Sequence, residues 1–152
     1  MTSDVRHGNR FTSVDEAVCL MKNNDIGFLP IVDEESNELI GVVTDRDVLL
    51  RAVYGHLDAR LMPVTDLMSE TVITIKPDDT VDRSLRVMAI HQVKRLPVID
   101  KTKRLIGVIA LADIVRSDAV APKTLALALR KISARPKANC VNRSLLLKTC
   151  AA

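Results

Sequence analysis

Aromatic residues are almost missing from this chain: Phe, Trp and Tyr make up 2% of its 152 residues, and there is no Trp. A core must therefore be built from Val, Ile, Leu, Met and Ala. The same scarcity argues against the stacking platforms that hold single-stranded nucleic acid. Cysteine is also sparse. Cys19, Cys140 and Cys150 are an odd number with no C-x-x-C spacing. That pattern excludes a disulfide framework and a zinc site, and it reads as reduced thiols in a cytoplasmic protein. A charge or a proline interrupts every apolar run before it reaches the length of a membrane span. No basic, apolar, small-residue signal opens the chain.

The carriers of catalysis are missing too. His7, His56 and His91 are scattered without metal-ligand spacing, and there is neither a G-x-S-x-G elbow nor a P-loop. Cys19 lies off the apolar stripe of its segment and reads as a partly buried thiol, not a nucleophile. The expectation is a chain that is not an enzyme and requires no cofactor or metal.

Acidic residues are missing from one region only. None follows Asp118, whereas Lys123, Arg130, Lys131, Arg135, Lys137, Arg143 and Lys148 do. The formal net charge of +3 thus divides into a tail of seven cations and a body with a net charge of −4. A basic tail can touch nucleic acid or an anionic membrane surface. The reading preferred here is a solvated C-terminal extension, residues 122–152, with no membrane or nucleic-acid partner.

What the chain does contain, it contains twice. "DTVDRSLRVMAIHQVKRLPVID" from Asp79 lies over "TSVDEAVCLMKNNDIGFLPIVD" from Thr12. Val81 falls on Val14, Met88 on Met21 and Pro97 on Pro30 at one offset, and Gly107 falls on Gly41 one residue short of it. The units are residues 1–66 and 67–121. In each, apolar residues at helical spacing (Val14, Ala17, Val18 and Met21; Val81, Leu85 and Met88) predict an amphipathic helix. Ser13 with Glu16 marks a capping box at the first helix start. "FLPIV" and "LIGVV", or "RLPVI" and "LIGVI", predict a hairpin. A second helix follows from Thr44, with Val48, Leu49 and Ala52 apolar, or from Ala110. The second unit adds a predicted strand, "TVITI" from Thr71 to Ile75; the matching "VRHGNRF" is poorer strand material. The fold class is α+β: two βαββα repeats, each too small to stand alone, packed as a pseudo-two-fold pair with two clefts between them.

Both repeats carry a hydrophobic-Pro-hydrophobic strand followed by G-hydrophobic-hydrophobic-x-x-x-D: "GVVTDRD" from Gly41 and "GVIALAD" from Gly107. This order, repeated at this period from Met1 to about Asp118, resembles the tandem cystathionine-β-synthase (CBS) domain pair, or Bateman module. In particular it looks like the short bacterial proteins made of little else. The resemblance implies a regulatory module that binds AMP, ADP or ATP between the repeats and signals to a regulated partner by a change of shape or dimer. It also implies a homodimer. By resemblance, the ribose-binding aspartates are Asp47 and Asp113, and the phosphate-side hydroxyl is Thr44, absent at Ala110. Each cleft takes its aspartate from one repeat and its adenine pocket from the other. Asp47 is thereby matched with Thr71, Val72, Val93, Lys94, Arg95 and Pro97. Asp113 is matched with Asp4, Val5, Ile26, Gly27, Phe28 and Pro30.

The two clefts differ in charge. Lys94 and Arg95 can meet phosphates near Asp47, and Thr44 stands at a helix start, where free N–H groups favour an anion. Their counterparts Gly27 and Phe28 carry no charge. The expectation is one complete cleft and one that has lost its phosphate side. A plainer reading stays open. Thr44 and Asp47 have capping-box spacing, and a ligand-free homodimeric interaction module of the same fold would need them only as a helix cap.

Overall fold

The computed structural model of the chain describes residues 1, 5–53, 58, 60, 62–117 and 119–134. The first repeat runs β1 (Gly8–Asn9), α1 (Val14–Asn23), β2 (Phe28–Val32), β3 (Leu39–Thr44) and α2 (Asp45–Asp47). α2 leads directly into a π-helical stretch, Val48–Val53. The second repeat runs α3 (Val81–His91), β4 (Arg95–Ile99), β5 (Leu105–Ala110) and α4 (Leu111–Arg116); α5 (Pro122–Ile132) follows it.

The repeat persists down to single backbone angles. β2 pairs antiparallel with β3 and β4 with β5, and the register slips at the same place in each hairpin, at Ile31/Val32 and Val98/Ile99. The non-glycine residues with positive φ also form two equivalent pairs among the described residues. Asp25 (51°) and Gln92 (55°) follow α1 and α3, while Asn37 (57°) and Lys103 (63°) sit in the hairpin turns. Two sequences that share few identical residues thus need the left-handed conformation at the same places.

Each helix buries the face its spacing predicts. Val14, Ala17 and Met21 of α1, and Ser84, Leu85 and Met88 of α3, are buried. Ser13 caps α1 as its spacing requires: its hydroxyl accepts from Glu16 N at 3.1 Å, and the Glu16 carboxylate accepts from Ser13 N at 2.8 Å. Val18, placed on the apolar face by its spacing, is exposed, and so is Leu49. Cys19 is exposed, not partly buried.

The buried residues sort into two cores. One joins α1, β2 and β3 with Ala52, Val64 and Leu67. The other joins Ile75, α3, β4 and Ile114 with Ala128 and Ile132 of α5. Between the repeats, the hairpin turns meet edge to edge. Leu39 N donates to Lys103 O at 3.1 Å and Leu105 N to Asn37 O at 3.1 Å. A second seam joins Val42 of β3 to Ser69 by a pair of hydrogen bonds of 3.1 and 2.8 Å. Gly41 permits this crossing: a Cβ there would lie 2.5 Å from Met68 Sδ and 3.3 Å from Ser69 O.

Two elements differ from their expectation. The strand predicted at Thr71–Ile75 does not form; Ile75 alone makes a parallel bridge, to Val98. The poorer stretch of the first repeat does pair, Gly8 with Ile31 and Asn9 with Val32. Position decides over propensity here: Thr71, Val72 and Ile73 form a cavity wall instead of a ladder. The second difference is α5. The start of the stretch read as a solvated extension is a helix of eleven residues packed on α3. Gln92 fastens its end, donating from Nε2 to Lys131 O at 3.2 Å and Ala134 O at 2.7 Å. Arg135, Lys137, Arg143, Lys148, Cys140, Cys150 and His56 lie outside the described residues.

Candidate nucleotide clefts

β3 ends at Thr44, and the chain turns at once into α2, so residues 44–47 stand at a strand-to-helix corner. The corner is held by a complete capping box. The Asp47 Oδ2 atom accepts from Thr44 N at 3.0 Å and from Thr44 Oγ1 at 2.6 Å, while Thr44 Oγ1 accepts from Asp47 N at 3.2 Å. The other carboxylate oxygen, Oδ1, faces Arg51 Nη2 at 3.4 Å. Arg51 reaches on from there to Leu67 O at 2.7 Å and Met68 O at 3.3 Å. Asp47 keeps 20% of its side-chain surface accessible. A carboxylate offers about four acceptor positions, so the cap and the ion pair leave room for a further donor.

Arg51 was not among the residues singled out from the sequence. Its position four residues after Asp47 is the signal that would have found it. The π-helical turn that carries it has no comparable signal; such turns are frequent at functional sites.

The equivalent corner of the second repeat keeps half of this device. Ala110 N donates to Asp113 Oδ2 at 3.1 Å, but no hydroxyl returns the bond. Arg116 stands 3.9 Å from Asp113 Oδ1.

A cavity of about 590 Å³ lies at the Asp47 corner. Thr44, Asp47, Thr71, Val72, Val93, Lys94, Arg95 and Pro97 all line it. The structure thus brings the whole expected set together, across both repeats. Arg46, Ser69 and Gln92 line it as well and were not expected. Its lining carries three cations, Arg46, Lys94 and Arg95, two carboxylates, Asp45 and Asp47, and the apolar Val42, Ile73, Val93 and Pro97.

A second cavity, of about 390 Å³, lies at Asp113. Val5, Ile26, Phe28, Pro30 and Asp113 line it as expected. Gly27 does not; it lines the Asp47 cavity. Asp4 lies outside the described residues. The expected loss of positive charge is also corrected. Arg6 and Arg95 both line this cavity, so the cations absent at Gly27 and Phe28 are replaced from elsewhere in the fold. No pairing of equivalent positions could reveal this, since Arg6 comes from the chain start and Arg95 crosses from the other cleft.

Among the described residues no group of three or more His, Cys, Asp or Glu is placed to hold a metal ion, and no helix is long and apolar enough to cross a membrane.

The CBS domain family model matches residues 1–54 and 64–119. The chain belongs to the CBS domain family. Its two CBS domains are the two repeats described above. It is similar to YlbB of Bacillus subtilis (strain 168), 37% identical over 118 residues that cover 78% of each chain. Among solved structures it is similar to Hypoxic Response Protein I with two coordinated zinc ions. There the identity is 31% and the TM-score 0.70, over 77% of this chain and 93% of that one. It is also similar to CBSX2 in complex with AMP, with 27% identity and a TM-score of 0.67, over 78% of this chain and 91% of that one.

Proposed function

We propose that this CBS pair is a regulatory module that binds an adenine nucleotide, AMP, ADP or ATP, in the Asp47 cleft. Asp47 accepts hydrogen bonds from the ribose hydroxyls. Thr44 and the helix start behind it, with Lys94 and Arg95, take the phosphates. The apolar wall at Val72, Val93 and Pro97 takes the adenine. The ligand favours one arrangement of the two repeats and shifts the population toward it, and a regulated partner protein reads the change. The chain performs no catalysis of its own, needs no cofactor and works in the cytoplasm as a homodimer. Val18, Leu49, Leu50 and Val53, all exposed on the first repeat, offer the apolar surface for that assembly.

The observation that carries this reading is the meeting in one cavity of the Asp47 carboxylate, a helix-start hydroxyl and three cations drawn from both repeats, against one further carboxylate, Asp45. The AMP complex of CBSX2 supports the choice of ligand. A second reading rests on a specific observation as well: Thr44 and Asp47 satisfy one another as a cap. In that reading the module is a ligand-free homodimer that binds other proteins.

Calorimetric titration with AMP, ADP and ATP, run on the wild type and on Asp47→Ala, separates the two. A saturable nucleotide site that is present in the wild type and lost in Asp47→Ala supports the sensor, whether or not the Asp113 cleft also binds. Ligand at one hundred times its dissociation constant should then raise stability by about 2.7 kcal/mol, read as a thermal shift. No heat and no shift with any nucleotide leaves the interaction module.

A further inference from the structure

Phe28 and Arg95 occupy equivalent positions in the two repeats, at the first residue of β2 and of β4. Each of them lines both cavities. The two clefts are therefore neighbours across the pseudo-two-fold, and these side chains form their common wall. One is an apolar ring and the other a guanidinium, so the wall carries a single charge. Arg95 is exposed and has no ion pair or side-chain hydrogen bond among the described residues. Its strand partner is Ala110, which places the start of β4 beside the Asp113 corner. Lys94, the residue before it, lines the Asp47 cavity only.

We infer that Arg95 is a shared phosphate-binding residue, and that the two clefts of one chain bind phosphorylated ligands antagonistically because they compete for it. A guanidinium forms its paired, bidentate contact with one phosphate at a time. The cleft that fills first draws Arg95 to its side. The other is left with its own cations, Lys94 and Arg46 at Asp47 or Arg6 at Asp113. Hydrogen bonds to a charged group contribute enough that the second phosphorylated ligand should bind about tenfold more weakly than it would to the same cleft alone. A ligand without phosphate should show no such penalty. This inference rests on the nucleotide reading above and specifies how its two clefts communicate.

The test is calorimetric titration of the full chain with AMP and with adenosine, on the wild type, Asp47→Ala, Asp113→Ala and Arg95→Ala. Each aspartate variant isolates one cleft. The expected result is one AMP bound by each aspartate variant. The wild type should bind two, the second at least about tenfold more weakly than that cleft binds in isolation. With Arg95→Ala, alone and combined with each aspartate variant, the second AMP should bind as that cleft does in isolation, and AMP should weaken in both clefts, with adenosine affinity unchanged. Two AMP molecules bound by the wild type at the affinities of the isolated clefts would overturn the competition. So would a penalty on the second AMP, relative to the isolated cleft, that survives in Arg95→Ala, and so would failure of Asp47→Ala to bind AMP at all. All three would leave the Asp47 cleft standing as a nucleotide site. Absence of binding by either ligand to any form would instead overturn the nucleotide reading and this inference with it.

Discussion

Thr44 and Ala110 stand at the same corner of the two repeats with nearly the same backbone, φ −119° and ψ 162° against φ −100° and ψ 150°. Only Thr44 closes the reciprocal bond to its aspartate. An N-cap hydroxyl typically contributes about 1 kcal/mol. Thr44→Ala should therefore destabilise the first repeat by about that much. Ala110→Thr, placed on a backbone already shaped to receive it, should stabilise the second by a similar amount. Urea unfolding of the two variants without ligand checks both. Equal and negligible changes would mean that the aspartate-to-backbone bond alone holds these corners. The Thr/Ala difference was visible in the sequence as soon as the repeats were aligned. The reach of Arg51 from Asp47 to the carbonyls of Leu67 and Met68 was not, because it joins segments that only the fold brings together.

At the scale of the elements, the hairpins show what sequence patterns reveal and what they miss. The strands and turns were legible because each is specified locally, by an apolar run, a polar break and a second apolar run. The failed strand at Thr71–Ile75 was not, because pairing there depends on what lies alongside. The turns themselves are held by Asp33 and Asp100, equivalent residues at the ends of β2 and β4. The backbone N–H and hydroxyl of Ser36, then the Glu35 N–H and the charge of Arg10, hold the Asp33 carboxyl below the usual carboxylate range. The Thr102 hydroxyl, then the backbone N–H groups of Arg104 and Thr102, do the same for Asp100. At α1, the backbone N–H of Ser13 and then its hydroxyl lower Glu16. A carboxyl lowered in the folded state contributes stability that is present above its unfolded pKa and lost as pH falls through its folded one. The loss should therefore begin near pH 4, the ordinary value for these groups, and continue below it. Asn keeps the acceptor oxygen without the titration. In Asp33→Asn with Asp100→Asn the decline of the melting temperature between about pH 4 and pH 2.5 should be shallower than in the wild type. Parallel curves would show that these turns do not contribute to acid sensitivity.

At the scale of the whole molecule, two similar repeats make an unequal pair, and α5 is the reason. The first core is completed by Val64 and Leu67, which lead into the second repeat, so the connection between repeats serves as packing. The second core has no such connection after it, and Ala128 and Ile132 of α5 fill that place. The basic composition beyond Asp118 concealed this. Cations on the exposed side of α5 (Lys123, Arg130 and Lys131) suggest a solvated segment, whereas the two residues that decide its position are spaced four apart among them. The consequence is measurable. Ile132 is 5% exposed, so Ile132→Ala should cost about 2–4 kcal/mol through lost burial and the cavity left behind. Arg130→Ala, on the exposed side, should change stability by less than about 0.5 kcal/mol. A helix that merely trailed in solvent would make the two variants alike. If they differ as expected, α5 is part of the second repeat's fold. Gln92, which lines the Asp47 cavity and also holds the α5 carbonyls, then connects the nucleotide cleft to the element that leads into the basic end of the chain.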